Sequence, residues 1–202
     1  MTAAVKLDAV DLVLGSTSRY RAELLRRLTP VFRQAAPEVD ETPLPGEAAP
    51  ALALRLAQAK ACAVAQRFPG AVVIGSDQVA ELDGMALGKP GDSARAQAQL
   101  IRCSGRAVHF HTGLCLADAR SAGIQLYTET DLTTVQFREL AAEEISRYIA
   151  REQPLDCAGS FKSEGLGIAL FERITSDDPS ALIGLPLIAL CRLLRLAGIV
   201  VL

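Results

Sequence analysis

At 202 residues, half of them hydrophobic and 22% charged, the chain has an ordinary globular composition. That argues against disorder and suits one domain over 1–202. A net charge of -2, with three tyrosines, six phenylalanines and no tryptophan, excludes the broad basic, aromatic-rich surface of a nucleic-acid module, yet leaves room for a local basic pocket around one small anion.

In chain order, Asp11 to Gly15 (DLVLG) reads as a short buried strand. Ser16-Thr17-Ser18 then offers capping hydroxyls, and Arg19 to Leu28 has apolar residues at helical spacing. A second strand is predicted at Val31 to Ala36, a Pro- and acid-rich loop over Pro37 to Pro50, and an Ala/Leu-rich helix over Ala51 to Arg67. Ala71 to Gly75 is the next apolar strand, followed by Ser76-Asp77-Gln78 and a further strand at Val79 to Leu82. Asp83-Gly84 marks a hairpin turn, and Gly88-Lys89-Pro90-Gly91 breaks structure again. Asp92 caps a predicted helix over Ala94 to Cys103. Ala107 to Ala117 and Ile124 to Phe137 read as long paired strands joined near Ser121 to Gly123. A helix over Leu140 to Arg151, a glycine-bearing loop over Pro154 to Gly167, a strand over Ile168 to Ile174 and a helix over Ser180 to Ala197, with Pro186 near its first turns, complete the chain. Interleaved helices and strands give an α/β class with a mixed sheet.

Five cysteines (Cys62, Cys103, Cys115, Cys157, Cys191) lie scattered without a CxxC pair, so neither a disulfide framework nor a zinc site follows, and thiols in a reducing cytosol are expected. Asp8 and Asp11 sit where a signal peptide needs an apolar core, and the apolar run from Ala181 to Cys191 is too short to span a bilayer. A cytoplasmic protein without membrane contact is the expectation.

Candidate chemistry falls in five clusters. Ser16, Ser18, Tyr20 and Arg21 follow a strand and open a helix, where hydroxyls, free amides and a guanidinium favour a phosphate; taken alone, the run reads more simply as a plain helix cap with surface arginines. Asp77 stands beside a glycine at the end of an apolar strand, where open α/β sheets bind ligands, and suits a general base or metal ligand, or an Asx turn. Lys89, between Gly88 and Pro90, is a phosphate counter-charge or a solvated loop lysine; the run is not a Walker A loop, since three residues separate Gly84 from Gly88 and Pro90 replaces the metal-binding hydroxyl. Lys162 and Glu164 occupy a glycine-rich loop as a ligand-facing pair or a solvated ion pair. Glu38, Asp40 and Glu41 form an acidic stretch, solvated or magnesium-binding. His109 and His111 share one strand face, with no third metal ligand in view.

Together these clusters resemble the Maf family of nucleoside triphosphate pyrophosphatases over nearly the whole chain. The resemblance rests on Leu14-Gly15-Ser16-Thr17-Ser18 with Arg21, Val39-Asp40-Glu41, Arg55-Leu56-Ala57 with Lys60, Gly75-Ser76-Asp77, Gly88-Lys89-Pro90 and Gly184-Leu185-Pro186-Leu187. Cys157 to Gly165 (CAGSFKSEG), with Ser76-Asp77-Gln78-Val79, is similar to the branch acting on 7-methyl-GTP. The branch acting on dTTP and UTP has a Tyr- and Gln-bearing loop and a Thr after the aspartate. Departures are Arg19 where proline is common, Ala59 where a glutamate often precedes the lysine, and Ser176 before Asp177-Asp178.

The resemblance implies a twisted mixed sheet flanked by helices, with two lobes around a central cleft, as in Maf and Ham1-like proteins. It implies hydrolysis between the α- and β-phosphates with a divalent cation, Mg²⁺ or Mn²⁺. Asp77 matches the proton acceptor, Glu41, Lys60 and Lys89 match residues associated with activity, and Tyr20, Gln78 and Glu164 match positions associated with substrate choice. On that reading Glu41 and Asp77 would hold the metal, Lys60 and Lys89 would take charge on the leaving pyrophosphate, and Ser16, Ser18 and Arg21 would cradle phosphates. Tyr20 would stack on the cationic base, and Glu164 would accept from the guanine N1–H and 2-amino groups. A small nucleotide is the expected partner, and the long strands and apolar C-terminal helix suit a homodimer. The competing function is a non-catalytic nucleotide-binding regulator of cell division.

Overall fold

A computed structural model describes residues 4–202. A seven-stranded mixed sheet forms its centre, comprising β2 (Leu12–Leu14), β3 (Arg33–Gln34), β4 (Val72–Leu82), β5 (Met85–Leu87), β6 (Ala107–Asp118), β7 (Gln125–Phe137) and β8 (Phe171–Thr175). The strands run in the order β3-β2-β4-β6-β7-β8, with β5 pairing the far half of β4. β2 is parallel to β3 and β4, and the remaining pairs are antiparallel. A two-stranded parallel pair, β1 (Val5–Lys6) with β9 (Ile199–Val200), brings the two ends of the described chain together.

Alternation along the strands separates two faces. On one, Val13, Val73, Cys115 and Ala117 pack against Ala57, Ala61 and Val64 of α2 (Ala49–Ala65). On the other, Leu14, Val72, Ile74, Leu114 and Leu116 form a core with α1 (Arg19–Leu25) and α5 (Leu187–Leu196). Farther along the same face, Ala80, Leu82, Val108, Phe110, Val135 and Phe137 form a second core with α3 (Ser93–Cys103) and α4 (Ala142–Glu152). Ser76 and Gln78 of β4 and Thr112 of β6 lie between the two cores, so the sheet itself carries a polar belt between two apolar lobes.

Two strand glycines explain why α2 lies so close to the sheet. A Cβ on Gly75 would collide with the Ala57 carbonyl oxygen and the Ala61 amide, and one on Gly113 with the Ala53 carbonyl and the Leu54 Cα. Bare backbone at these points is what the helix rests on.

Most predicted elements are present, with instructive shifts. The two strands expected on either side of Ser76-Asp77-Gln78 are one strand, because β6 pairs with β4 without a break from Val72 to Glu81. The hairpin at Asp83-Gly84 is present, with positive φ at both residues (54° and 76°), the geometry of a two-residue hairpin turn. The strand expected at Ile168 to Ile174 begins as a 3₁₀ turn over Leu166–Leu170 and becomes β8 only at Phe171. The terminal helix starts at Leu187 rather than Ser180: Pro186, which lacks an N–H to donate, is its N-cap, and residues Ala181–Ile183 form a separate 3₁₀ turn. The strand predicted at Val31 to Ala36 shrinks to the two residues of β3, and α1 ends at Leu25. No helix among the described residues is long and apolar enough to cross a membrane.

Candidate active site

β2 pairs with β4 only as far as Leu14 opposite Ile74, and β5 pairs only from Ala80. Between these points one edge of β4 opens into a cleft of about 850 Å³, with Ser16 to Arg21, Glu41, Lys60, Asp77, Gln78, Lys89 and Glu164 in its walls. Asp77 therefore lies inside a strand, not past its end as the sequence suggests. What ends beside it is β2.

Alternation sends neighbouring side chains of β4 in opposite directions. Asp77 shares the face that α2 covers, and the close seating at Gly75 delivers Lys60 to it. Lys60 Nζ lies 2.5 Å from Asp77 Oδ1 and 2.6 Å from Glu41 Oε1, so one buried ammonium joins two carboxylates from segments far apart in the chain. Burial acts against the Glu41 carboxylate, but the Lys60 hydrogen bond and charge, aided by Lys89 and Arg21, hold it below its ordinary range. The acidic loop is fastened by a clasp that the sequence does not announce. Arg55 donates through Nε to Glu47 Oε1 (2.6 Å) and through Nη2 to Glu47 Oε2 (2.8 Å) and the Thr42 carbonyl (3.1 Å). The Arg55 hydrogen bonds bring the Glu47 carboxyl down to about 2.

Ser76 and Gln78 point the other way, into a strap formed by residues 178–187. The Gly184 carbonyl accepts from Ser76 Oγ (2.8 Å) and from Arg21 Nε (2.8 Å). Gln78 Nε2 donates to the Ala181 carbonyl (2.8 Å), the Leu182 carbonyl (3.2 Å) and Thr112 Oγ1 (3.0 Å). Ser16 Oγ accepts from the Ser18 amide (3.1 Å) and Arg21 Nη1 (3.4 Å), while Ser18 Oγ caps α1 at the Arg21 amide (3.4 Å). Because α1 has only seven residues and Ser18 caps it, the positive charge of this cluster is that of Arg21 rather than of a helix end. Burial lowers the Arg21 guanidinium from its ordinary value, and the charges of Asp77 and Glu41 oppose that shift.

Asp178 fixes the strap. Its buried carboxylate accepts from the Ser180 amide (3.1 Å) and hydroxyl (2.6 Å) and from the first amides of α5, those of Ile188 (2.6 Å) and Ala189 (3.2 Å). Four donors without a partner are expected on Asp178→Ala, with a loss of about 2–4 kcal/mol in urea unfolding. A loss under about 1 kcal/mol would show that the strap holds without its carboxylate.

Other predicted residues behave differently. Glu164 is exposed in the cleft wall beside Ser163 Oγ (3.3 Å). It does not pair with Lys162, whose Nζ donates instead to the Glu152 and Gln153 carbonyls (3.0 and 3.3 Å). Tyr20 lines the cleft with Arg19 stacked on its ring. His111 meets Glu81 (3.1 Å) and His109 meets Thr134 (3.1 Å). Among the described residues no group of three or more His, Cys, Asp or Glu forms a metal cluster. Glu41 and Asp77 do converge on one cation, Lys60, and two carboxylates with substrate phosphates and water form the donor set that Mg²⁺ uses. Burial pushes the Cys103 thiol up to about 11 and those of Cys115 and Cys157 up to about 12, which favours the thiol over the thiolate.

The family model for Maf-like protein matches residues 11–197. This chain belongs to the Maf family. Among curated relatives of the family, a protein of Xanthomonas oryzae pv. oryzae (strain MAFF 311018) named 7-methyl-GTP pyrophosphatase is 61% identical over 187 residues, 93% of this chain and 96% of the relative. A protein of the same name from Burkholderia pseudomallei (strain 1710b) is 58% identical over 190 residues, 93% of this chain and 87% of the relative. The Staphylococcus aureus Ham1 structure aligns with 63% of this chain and 71% of its own at a TM-score of 0.45 and 14% identity, too slight a likeness to build on.

Proposed function

We propose that this Maf-family chain hydrolyses 7-methyl-GTP between its α- and β-phosphates, releasing 7-methyl-GMP and pyrophosphate. The observation that carries the reading is the buried Lys60–Asp77 pair joined by the exposed Glu41 in the cleft, in a chain 61% identical to a relative named for that activity. Asp77 orients the attacking water and accepts its proton at the oxygen that does not face Lys60. Arg21 and Lys89 hold the polyphosphate, and Lys60 holds the two carboxylates in register beside the α-phosphorus. Glu41 and Asp77 would hold a divalent cation, which when bound supplies charge neutralisation at the phosphates. At the base end Tyr20 gives the stacking face, and Glu164 accepts from the two guanine N–H groups that a pyrimidine lacks.

The test is pyrophosphate release, with Mg²⁺ or Mn²⁺ present, from 7-methyl-GTP, GTP, dTTP and UTP. The expected ranking puts 7-methyl-GTP first. Nucleotide binding without pyrophosphate from any of the four would overturn the hydrolase reading in favour of a regulator that uses the same cleft. A fastest rate on dTTP or UTP would overturn the base assignment alone.

A further inference from the structure

We propose that Asp156 is a specificity-determining carboxylate that selects a positively charged purine ring at the face of Tyr20, and that Arg19 covers this face until such a ring arrives. The inference rests on the pyrophosphatase reading and adds to it the group that senses the methyl-derived charge.

Three observations converge. First, the Arg19 guanidinium lies over the Tyr20 ring with its carbon 4.6 Å from the centroid, and its Nη2 is 2.7 Å from the Tyr20 hydroxyl. A guanidinium is planar, delocalised and cationic, as a purine methylated at N7 is, so the protein's own side chain occupies the position such a ring would take. Second, Asp156 lines the same cleft as Arg19, Tyr20 and Glu164; the Tyr20 hydroxyl is the main cause that holds the Arg19 guanidinium above its ordinary value, and Asp156 adds a lesser attraction. Third, Asp156 is exposed and unburdened: its one hydrogen bond among the described residues comes from the weak donor Cys157 Sγ (3.5 Å), and no arginine or lysine pairs with it. That leaves the carboxylate available to a cation in the cleft, at the strength of a solvent-exposed pair.

Division of labour follows from the chemistry. Glu164 can read the N1–H and 2-amino edge, which guanine and 7-methylguanine share, and so cannot by itself tell them apart. Discrimination needs a group that responds to the added positive charge. Tyr20 gives part of that response through its ring face and Asp156 gives the rest. Arg19 raises the threshold for every base, because whatever stacks on Tyr20 must first displace it. A cationic ring replaces what Arg19 contributed, and a neutral guanine replaces only the stacking.

The experiment compares kcat/KM for 7-methyl-GTP and GTP in the full-length protein. In Asp156→Asn, an isosteric change on the surface, the ratio of the two is expected to fall about three- to fivefold, the size of an exposed charge pair. In Arg19→Ala, KM for 7-methyl-GTP is expected to fall about two- to fivefold. A wild-type protein with no preference for 7-methyl-GTP over GTP would sink the functional reading itself. A wild-type preference that survives Asp156→Asn in full would overturn only the inference. A rise in KM after Arg19→Ala would overturn the covering role and make Arg19 a triphosphate contact. Circular dichroism and melting temperature of both variants verify that the comparison is made on folded protein.

Discussion

Asp77→Asn is expected still to bind 7-methyl-GTP, through Arg21, Lys89 and the base contacts, while turnover falls by about 10²–10⁴-fold, the usual contribution of a positioned base. An amide matches the shape of the carboxylate but cannot accept a proton from water. Lys60 keeps Glu41 as a partner at 2.6 Å, so the variant retains a paired ammonium and folds. Titration calorimetry with the metal and nucleotide present reads binding, and pyrophosphate release reads turnover. Turnover within about threefold of wild type would remove Asp77 from the chemistry.

Lys60→Met is expected to act on stability as well as on turnover. Both Lys60 and Asp77 are buried, so the variant strands a carboxylate that no longer has its cation, a loss of about 3–5 kcal/mol in urea unfolding. Turnover is expected to fall by about 10²-fold or more, because the two carboxylates lose the charge that holds them together. A double variant separates the two effects. Lys60→Met with Asp77→Asn removes both members of the pair, and most of the lost stability is expected to return while turnover stays absent. Stability that stays low in the double variant would show that Lys60 acts through its packing rather than its charge.

The parts of the site visible in the sequence are those in which chemistry and turn geometry coincide in a few consecutive residues. Gly75-Ser76-Asp77, Gly88-Lys89-Pro90 and the hydroxyl run at Ser16 are short motifs, and all three reach the same cleft. The position of Asp77 is misread because the apolar run stops at Gly75, whereas the pairing with β6 continues through Glu81. Polar residues persist inside that strand because one face opens on the cleft and the other bonds to the strap. The Arg55–Glu47 clasp and the anchoring role of Asp178 lie beyond local pattern altogether. Glu47 looks like one more acid in an acidic loop, and Asp178 reaches Ile188 and Ala189 only after the chain turns back on itself through Gly184. Two-residue strands such as β1 and β9 carry too little periodicity to be read before their partners are known.

The contact between α2 and the bare backbone at Gly75 and Gly113 has a further consequence. Nothing compressible lies in that seam, so any atom added there lifts the helix as a rigid rod and draws the Lys60 ammonium away from its two acids. Mechanical integrity and turnover therefore share a single hinge-free joint. Substitutions that harden the protein against heat elsewhere can leave catalysis alone, but along this joint the two properties will rise and fall together.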